Sequence, residues 1–275
     1  MILKTGHFPY FKPLALAVAL AIASGAHATE TEKSDTVKNP WAFNLSTYLW
    51  LPSVYGDFSA GPFNKSSDFS FGDIAGKMRN FPMAFNGHFD AHYERLGFYM
   101  DGNYLGADFR PVLNQGYSKG LSLRMGIMEY GASYRLFGSS ASERVAHWGE
   151  KSRSNILEIY AGGRTIWLGN EATFSRLGTV SSNKSVTAPL VGGRIMVEFS
   201  PKWFASLDGS AGGFGVDNVS FMGSALGTVG YRTRLFGVPA SVELGYKALS
   251  VKVEKPILTA DIIMHGPFLG LTGYW

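Results

Sequence analysis

The chain has 275 residues with 25 basic and 21 acidic side chains, a formal charge of +4 and no cysteine. No basic run suits nucleic acid, and no disulfide frame is available, so an exported fold must rest on its own backbone hydrogen bonds. With 34 glycines and 14% aromatic against only 17% charged residues, the composition excludes a disordered, highly charged chain.

Residues 1–28 read as a secretory signal peptide: Lys4 and Lys12 give a basic start, Leu14 to Ile22 an apolar core, and Ala26-His27-Ala28 a cleavage site. The core is well short of the roughly 20 residues a spanning helix needs. From Thr29 on the chain is expected to be the mature protein, with 29–40 a polar, flexible periplasmic lead-in and 41–275 its one folded domain. After the signal no apolar run is long enough for a helical span, so a chain that still enters a membrane must do so as a closed β-barrel.

From Trp41 apolar and polar residues alternate: Trp41, Phe43, Leu45 and Leu49 against Asn44, Ser46, Tyr48 and Trp50. A period of two predicts strands with one greasy and one wet face. Ser53 to Asn80 is irregular and reads as a long loop folded back over a barrel mouth, with short strands in Val54–Phe58 and Asp68–Phe71 and a helical turn in Asp73–Met78. The clearest hairpin is Phe81 to Tyr104, turning at Glu94-Arg95. It sets Tyr93 against Leu96, Ala91 against Phe98 and Phe89 against Met100, and on the other face His92 against Gly97, Asp90 against Tyr99 and His88 against Asp101. A one-residue slip would mix the faces, so the register is strongly specified.

Gly106 to Gly120 is predicted as loop. In Leu121 to Leu136 the charges Glu129 and Arg135 share parity with Leu123, Met125 and Ile127, which leaves the lipid side of that strand open. Ser139 to Ser154 is polar and long for a turn. Asn155 to Leu168 sets Leu157, Ile159, Ala161 and Trp167 against Glu158, Tyr160 and Arg164, and Gly169 to Lys184 is predicted as loop. A second hairpin turns about Ser200-Pro201-Lys202, with Val197 facing Ala205 and Arg194 facing Asp208. A third turns about Phe236 to Pro239, with Arg232 facing Glu243. Together these predict an all-β fold: a transmembrane antiparallel up-and-down β-barrel of about ten strands, eight or twelve being the alternatives. Both ends and the short turns lie on the periplasmic side and the longer loops outside; only Ser139–Ser154 breaks that rule.

The last segment, Phe268 to Trp275, ends on an aromatic residue and resembles the C-terminal assembly signal of outer-membrane barrels, departing from it at Gly273. Together with Tyr48-Leu-Trp-Leu-Pro52, Asp101-Gly-Asn-Tyr104, Gly162-Gly-Arg164, Gly192-Gly-Arg194 and Asp208 to Gly215, the chain resembles an uncharacterised family of porin-like outer-membrane β-barrels of Gram-negative bacteria. The resemblance implies location in the cell outer membrane, outer-membrane lipid and lipopolysaccharide as surroundings, and insertion by the barrel-assembly machinery through the C-terminal strand. It assigns no substrate.

His88, Asp90, His92, Asp101, Arg164, Arg194, Asp208, Arg232 and Glu243 are expected to line the lumen. Two histidines and two carboxylates on one face could ligate a metal or move protons, but small barrels must fill their interior with paired polar side chains in any case. Arg164 has no evident partner. Trp41, Trp50, Tyr93, Trp203, Tyr246 and Trp275 suit the aromatic girdles of a membrane barrel. No nucleophile elbow, phosphate loop or zinc spacing occurs, so neither enzyme activity, nor a metal, nor a cofactor is expected. Two readings of function remain: a narrow channel or binding barrel for small polar or amphipathic solutes, and a structural or surface-interaction barrel. An outer-membrane enzyme is the third.

Overall fold

The computed structural model describes residues 39–60, 63–70, 72, 83–109, 118–149, 155–174, 178–255 and 258–275. The expected signal peptide, most of the lead-in and the helical turn in 73–78 lie outside the described residues. Twelve strands follow in order: β1 (Trp41–Trp50), β2 (Ser53–Ala60), β3 (Phe63–Phe69), β4 (Met83–Tyr93), β5 (Leu96–Phe109), β6 (Ser118–Phe137), β7 (Ile156–Phe174), β8 (Gly178–Glu198), β9 (Trp203–Gly213), β10 (Val219–Leu235), β11 (Val238–Lys255) and β12 (Leu258–Tyr274). One short helix, α1 (Ala141–Ala146), sits between β6 and β7.

Ten of these strands, β1 and β4 to β12, close into an antiparallel barrel in which each strand pairs with the next and β1 pairs back onto β12. The seam is complete to the chain end, because Phe43 and Trp275 exchange backbone hydrogen bonds of 2.8 and 2.9 Å. The strands β1 and β2 are one line of chain along β12, interrupted where Pro52 and Pro267 remove ladder donors. Gly266 permits this crossing, since a Cβ there would strike Leu51 and Pro52. The stretch expected as a loop folded back over the mouth is instead, in its described part, the hairpin β2–β3, which continues the wall upward beside β12.

The first two hairpins have the registers read from alternation, with His88 opposite Asp101 and Arg194 opposite Asp208. The third does not. Its turn is the two residues Phe236-Gly237, both left-handed (φ 51° and 84°), not Phe236 to Pro239. That shifts the pairing by two, so Arg232 faces Ser241 and Glu243 faces Gly230. Paired left-handed residues match the twist of a tight hairpin, and Pro239 simply opens the following strand.

Gly106 to Gly120 and Gly169 to Lys184, predicted as loops, are in their described parts strand, as is the described part of 250–261. Six strands (β6 to β8 and β10 to β12) run 17 to 21 residues, where about 9–11 suffice to cross a bilayer. The wall rises unevenly: β8 pairs with β9 only from Leu190 down. Above that point Asp217 of the β9–β10 turn accepts from the Thr187 N–H at 3.1 Å, and Pro189 and Lys184 blunt the remaining edge.

Candidate functional site

The outer surface decides what surrounds the barrel. Phe98, Ile195, Val229, Val242, Leu244 and Leu269 all point outward, from five strands, and Leu244 is 65% exposed. An apolar belt running round a molecule is untenable in water, whereas a closed ladder leaves lipid no unmet backbone group. The chain is a membrane-spanning β-barrel. At the belt's end nearer the short turns Trp41 meets Tyr93 edge-on at 5.2 Å and Trp203 meets Tyr231 at 5.0 Å. Trp275 lies at the same end, beside Gly273, whose missing side chain leaves room for the indole. That accounts for the departure from the usual terminal pattern. Tyr246 is at the opposite end of the belt, where its hydroxyl bonds His265. Trp50 belongs to neither rim: it points inward and donates to the Lys247 carbonyl at 3.2 Å.

The barrel is filled in three layers. Nearest the short turns, Arg232 and Arg144 share the Glu198 carboxylate, and Arg135 reaches Glu158 at 3.3 Å. Here the described part of the segment between β6 and β7, expected only as an overlong turn, folds across the mouth. A capping box of Ser140 and Glu143 starts α1. Arg135 donates to the Ser139 carbonyl at 2.8 Å, and Trp148 donates to the Thr233 carbonyl at 2.9 Å while packing on Tyr274. Burial, with Arg232 and Arg135 nearby, pulls the Arg144 guanidinium down to about 10, so it stays charged at neutral pH.

The middle layer is ionic. His88 lies between two carboxylates, Nε2 at 2.9 Å from Asp90 and Nδ1 at 3.3 Å from Asp101. Arg194 donates to Asp208 at 2.9 Å and lies 3.9 Å from Asp90 and 3.8 Å from Glu158. Tyr160 donates to Asp208 at 2.7 Å, and Gly192 leaves the space its ring occupies. Tyr48 and Lys247 close the far side around Asp101 and Asn103. Arg164 finds the partner its sequence did not reveal: Glu129, directly opposite on β6, with Nε to Oε2 at 3.0 Å and Ser210 and Ser224 behind. These groups surround a cavity of about 80 Å³.

Above them the polarity inverts. On β11 the inward residues change from Ser241, Glu243 and Lys247 to Leu249, Val251 and Val253, while outward residues change from Val242, Leu244 and Tyr246 to Ser250, Lys252 and Glu254. The same change occurs on β6 (Glu129 to Ile127), β7 (Arg164 to Ile166) and β8 (Arg194 to Leu190). Inward apolar residues, among them Tyr48, Ile127, Met222, Val251 and Phe268, pack into one buried cluster across the barrel. This settles β6, whose mixed face looks inward from Met125 to Arg135: its lower part lies in the ionic layer, its upper part in the dry one.

Of the residues expected in the lumen, the structure gathers His88, Asp90, Asp101, Arg164, Arg194 and Asp208 around the cavity. His92 is lower, fully buried, with Nε2 at 3.4 Å from Glu158. Arg232 and Glu243 point inward but do not pair; Glu243 accepts from Ser241 and Thr272 at 2.8 and 3.1 Å. Both ring nitrogens of His88 are held by carboxylates, which leaves no lone pair turned to a metal. Sequence reasoning missed Glu129, Tyr48, Lys247 and the Trp148 cap. Glu129 was signalled by its shared parity with Arg135.

No family model and no curated protein matches the chain. Among solved structures it is similar to the attachment invasion locus protein Ail of Yersinia pestis, in complex with the heparin analogue sucrose octasulfate. That match has 10% identity and a TM-score of 0.36, and covers 86% of this chain and 98% of that one. It is also similar to the outer membrane protease OmpT of Escherichia coli (9% identity, 90% and 100% covered, TM-score 0.42) and to a Pseudomonas aeruginosa FadL homologue (10%, 86% and 90%, TM-score 0.27). At such scores the likeness carries no argument about what this barrel does.

Proposed function

We propose that the barrel is closed to solute flow at rest and works, without catalysis, through the wall it raises above the outer leaflet: a surface-interaction barrel, not a passive pore. The observation that supports this is the double seal. A packed apolar cluster crosses the lumen on the outer side, and the α1 segment with Trp148 crosses it on the periplasmic side. The ion pairs between them interlock neighbouring strands, so opening a path means breaking buried pairs, each at about 3–5 kcal/mol. The aromatic residues at the two ends of the belt are proposed as its anchors in the two leaflets.

The test is reconstitution in planar bilayers. The intact barrel should give no discrete conductance steps, and cells that overproduce it should admit small hydrophilic solutes no faster than cells without it. Regular steps from the intact barrel would overturn the reading. A solute-handling role would then take its place, favoured by the charged cavity at the barrel's centre.

A further inference from the structure

The end of the barrel away from the short turns is greasy on its inner face. Val54, Met125, Leu168, Val186, Val253 and Ile262 point inward from six strands and pack against the buried apolar cluster, the last five each one inward position above a member of it. They are only half-buried, so together they form an apolar floor that still shows surface. Contiguous apolar surface of this kind marks a place where something apolar binds, and closed barrels of even eight strands can hold one small ligand.

The wall around this floor has a gap. Between Gly213 and Val219 the chain turns from β9 into β10, whereas β8 extends to Gly178 beside β7 alone and β11 to Lys255 beside β12 alone. The β9–β10 turn is the sill of the gap, and Phe214, Val216 and Phe221 on it are 63%, 47% and 46% exposed. Going up β10 from Val229, the outward residues are Gly227, Ala225, Gly223 and Phe221, so the lipid-facing surface reaches the sill without a polar break. On β11 the same rungs carry Ser250 and Lys252.

Charge separates the two faces of the wall. Lys184 is exposed on the inner face, opposite Leu168 and one inward position above Val186, and it makes no ion pair among the described residues. Lys65 and Lys255 occupy ladder positions of the same parity as Val54 and Val253, whereas Asp57, Glu254 and Asp261 occupy the opposite one. A neutral hydrocarbon would cover the floor and leave the lysine idle; a small anion would do the reverse. An extended peptide would need the edge of β8, where Asp217 already accepts from the Thr187 N–H and Pro189 has no N–H to offer. A single alkyl chain with an anionic head answers both demands.

We propose that this end of the barrel binds a fatty-acid-type amphiphile, its tail on the apolar floor and its carboxylate at Lys184, entering from the adjoining leaflet over the Phe214–Val216 sill. The site deepens the surface role proposed above, and the two fail separately. Conductance steps would remove the closed barrel and leave this site; loss of the site would leave a silent barrel.

The whole barrel in lipid nanodiscs, photolabelled with a dodecanoate that carries a terminal diazirine and mapped by mass spectrometry, tests the proposal. Saturable label is expected around Leu168, Val186 and Val253. Unlabelled dodecanoate should compete at least about tenfold better than dodecylamine, which brings the same tail with a charge that Lys184 repels. Lys184→Gln should weaken labelling about two- to fivefold, the worth of one exposed ion pair, and heat-modified mobility of that variant would confirm that it folds. Label confined to outward residues such as Leu244 and Leu269, equal competition by the amine, or unchanged labelling in a folded Lys184→Gln barrel would each overturn the proposal.

Discussion

Arg232 finds its carboxylate 34 positions back in the chain, at Glu198, and not at Glu243 eleven positions on, as the sequence suggested. Glu198 also holds Arg144, so removing it strands one buried and one half-buried cation, whereas Glu243 receives only hydroxyls. We expect Glu198→Ala to cost about 3–5 kcal/mol and Glu243→Ala about 1 kcal/mol per lost hydrogen bond, read from urea unfolding in lipid vesicles. Equal costs would mean the two carboxylates share the load. The contrast with His88–Asp101 and Arg194–Asp208 marks what was legible. Those pairs join strands linked by short turns, where alternation alone fixes who faces whom. Arg164 and Glu129 are as directly opposed, but a segment of 18 residues separates their strands, and no local rule sets that register.

At the level of single elements, the β10–β11 turn is the informative failure. A tight hairpin of this kind favours Asn-Gly, and Phe236 is held left-handed with its side chain fully exposed. A bulky residue there is strained by about 1–2 kcal/mol, and nothing in the protein contacts explains its choice. Phe236→Asn should therefore stabilise the isolated hairpin geometry, raising the unfolding midpoint in detergent. If the same change lowers the midpoint in lipid vesicles, the ring is an anchor in the inner leaflet. The upper strands were illegible for a different reason. Ser181, Ser182, Asn183, Lys184 and Ser185 carry neither strand propensity nor a greasy row, and a search for lipid-facing alternation passes over them. The cap was illegible because α1 has only six residues, too few for a periodic signal; its one clue was Ser140 three places before Glu143.

For the molecule as a whole, the decisive property is the exchange of faces part-way up β6, β7, β8 and β11. Below it the barrel is inside-out, with charge within and hydrocarbon without; above it the order is that of a water-soluble barrel with a dry centre. Tolerance to charge on the outer surface should follow. Leu244→Arg should destabilise by about 2–4 kcal/mol, as for a lipid-facing site deep in the bilayer, and Ser250→Arg by about 0–1 kcal/mol. Comparable costs at the two sites would mean that the hydrocarbon reaches higher than the inversion suggests.

That inversion acts as a waterline painted on the hull. Between Lys247 and Leu249 the chain records, in two neighbouring residues of the same orientation, how deep the vessel rides. Trading one inward charge for an aliphatic residue, with the matching exchange outside, would not reshape the barrel; it would make it float higher or sink lower by one strand repeat, about 7 Å of chain. Depth of immersion is thus a heritable dimension of this protein, adjustable two residues at a time while the ladder stays intact.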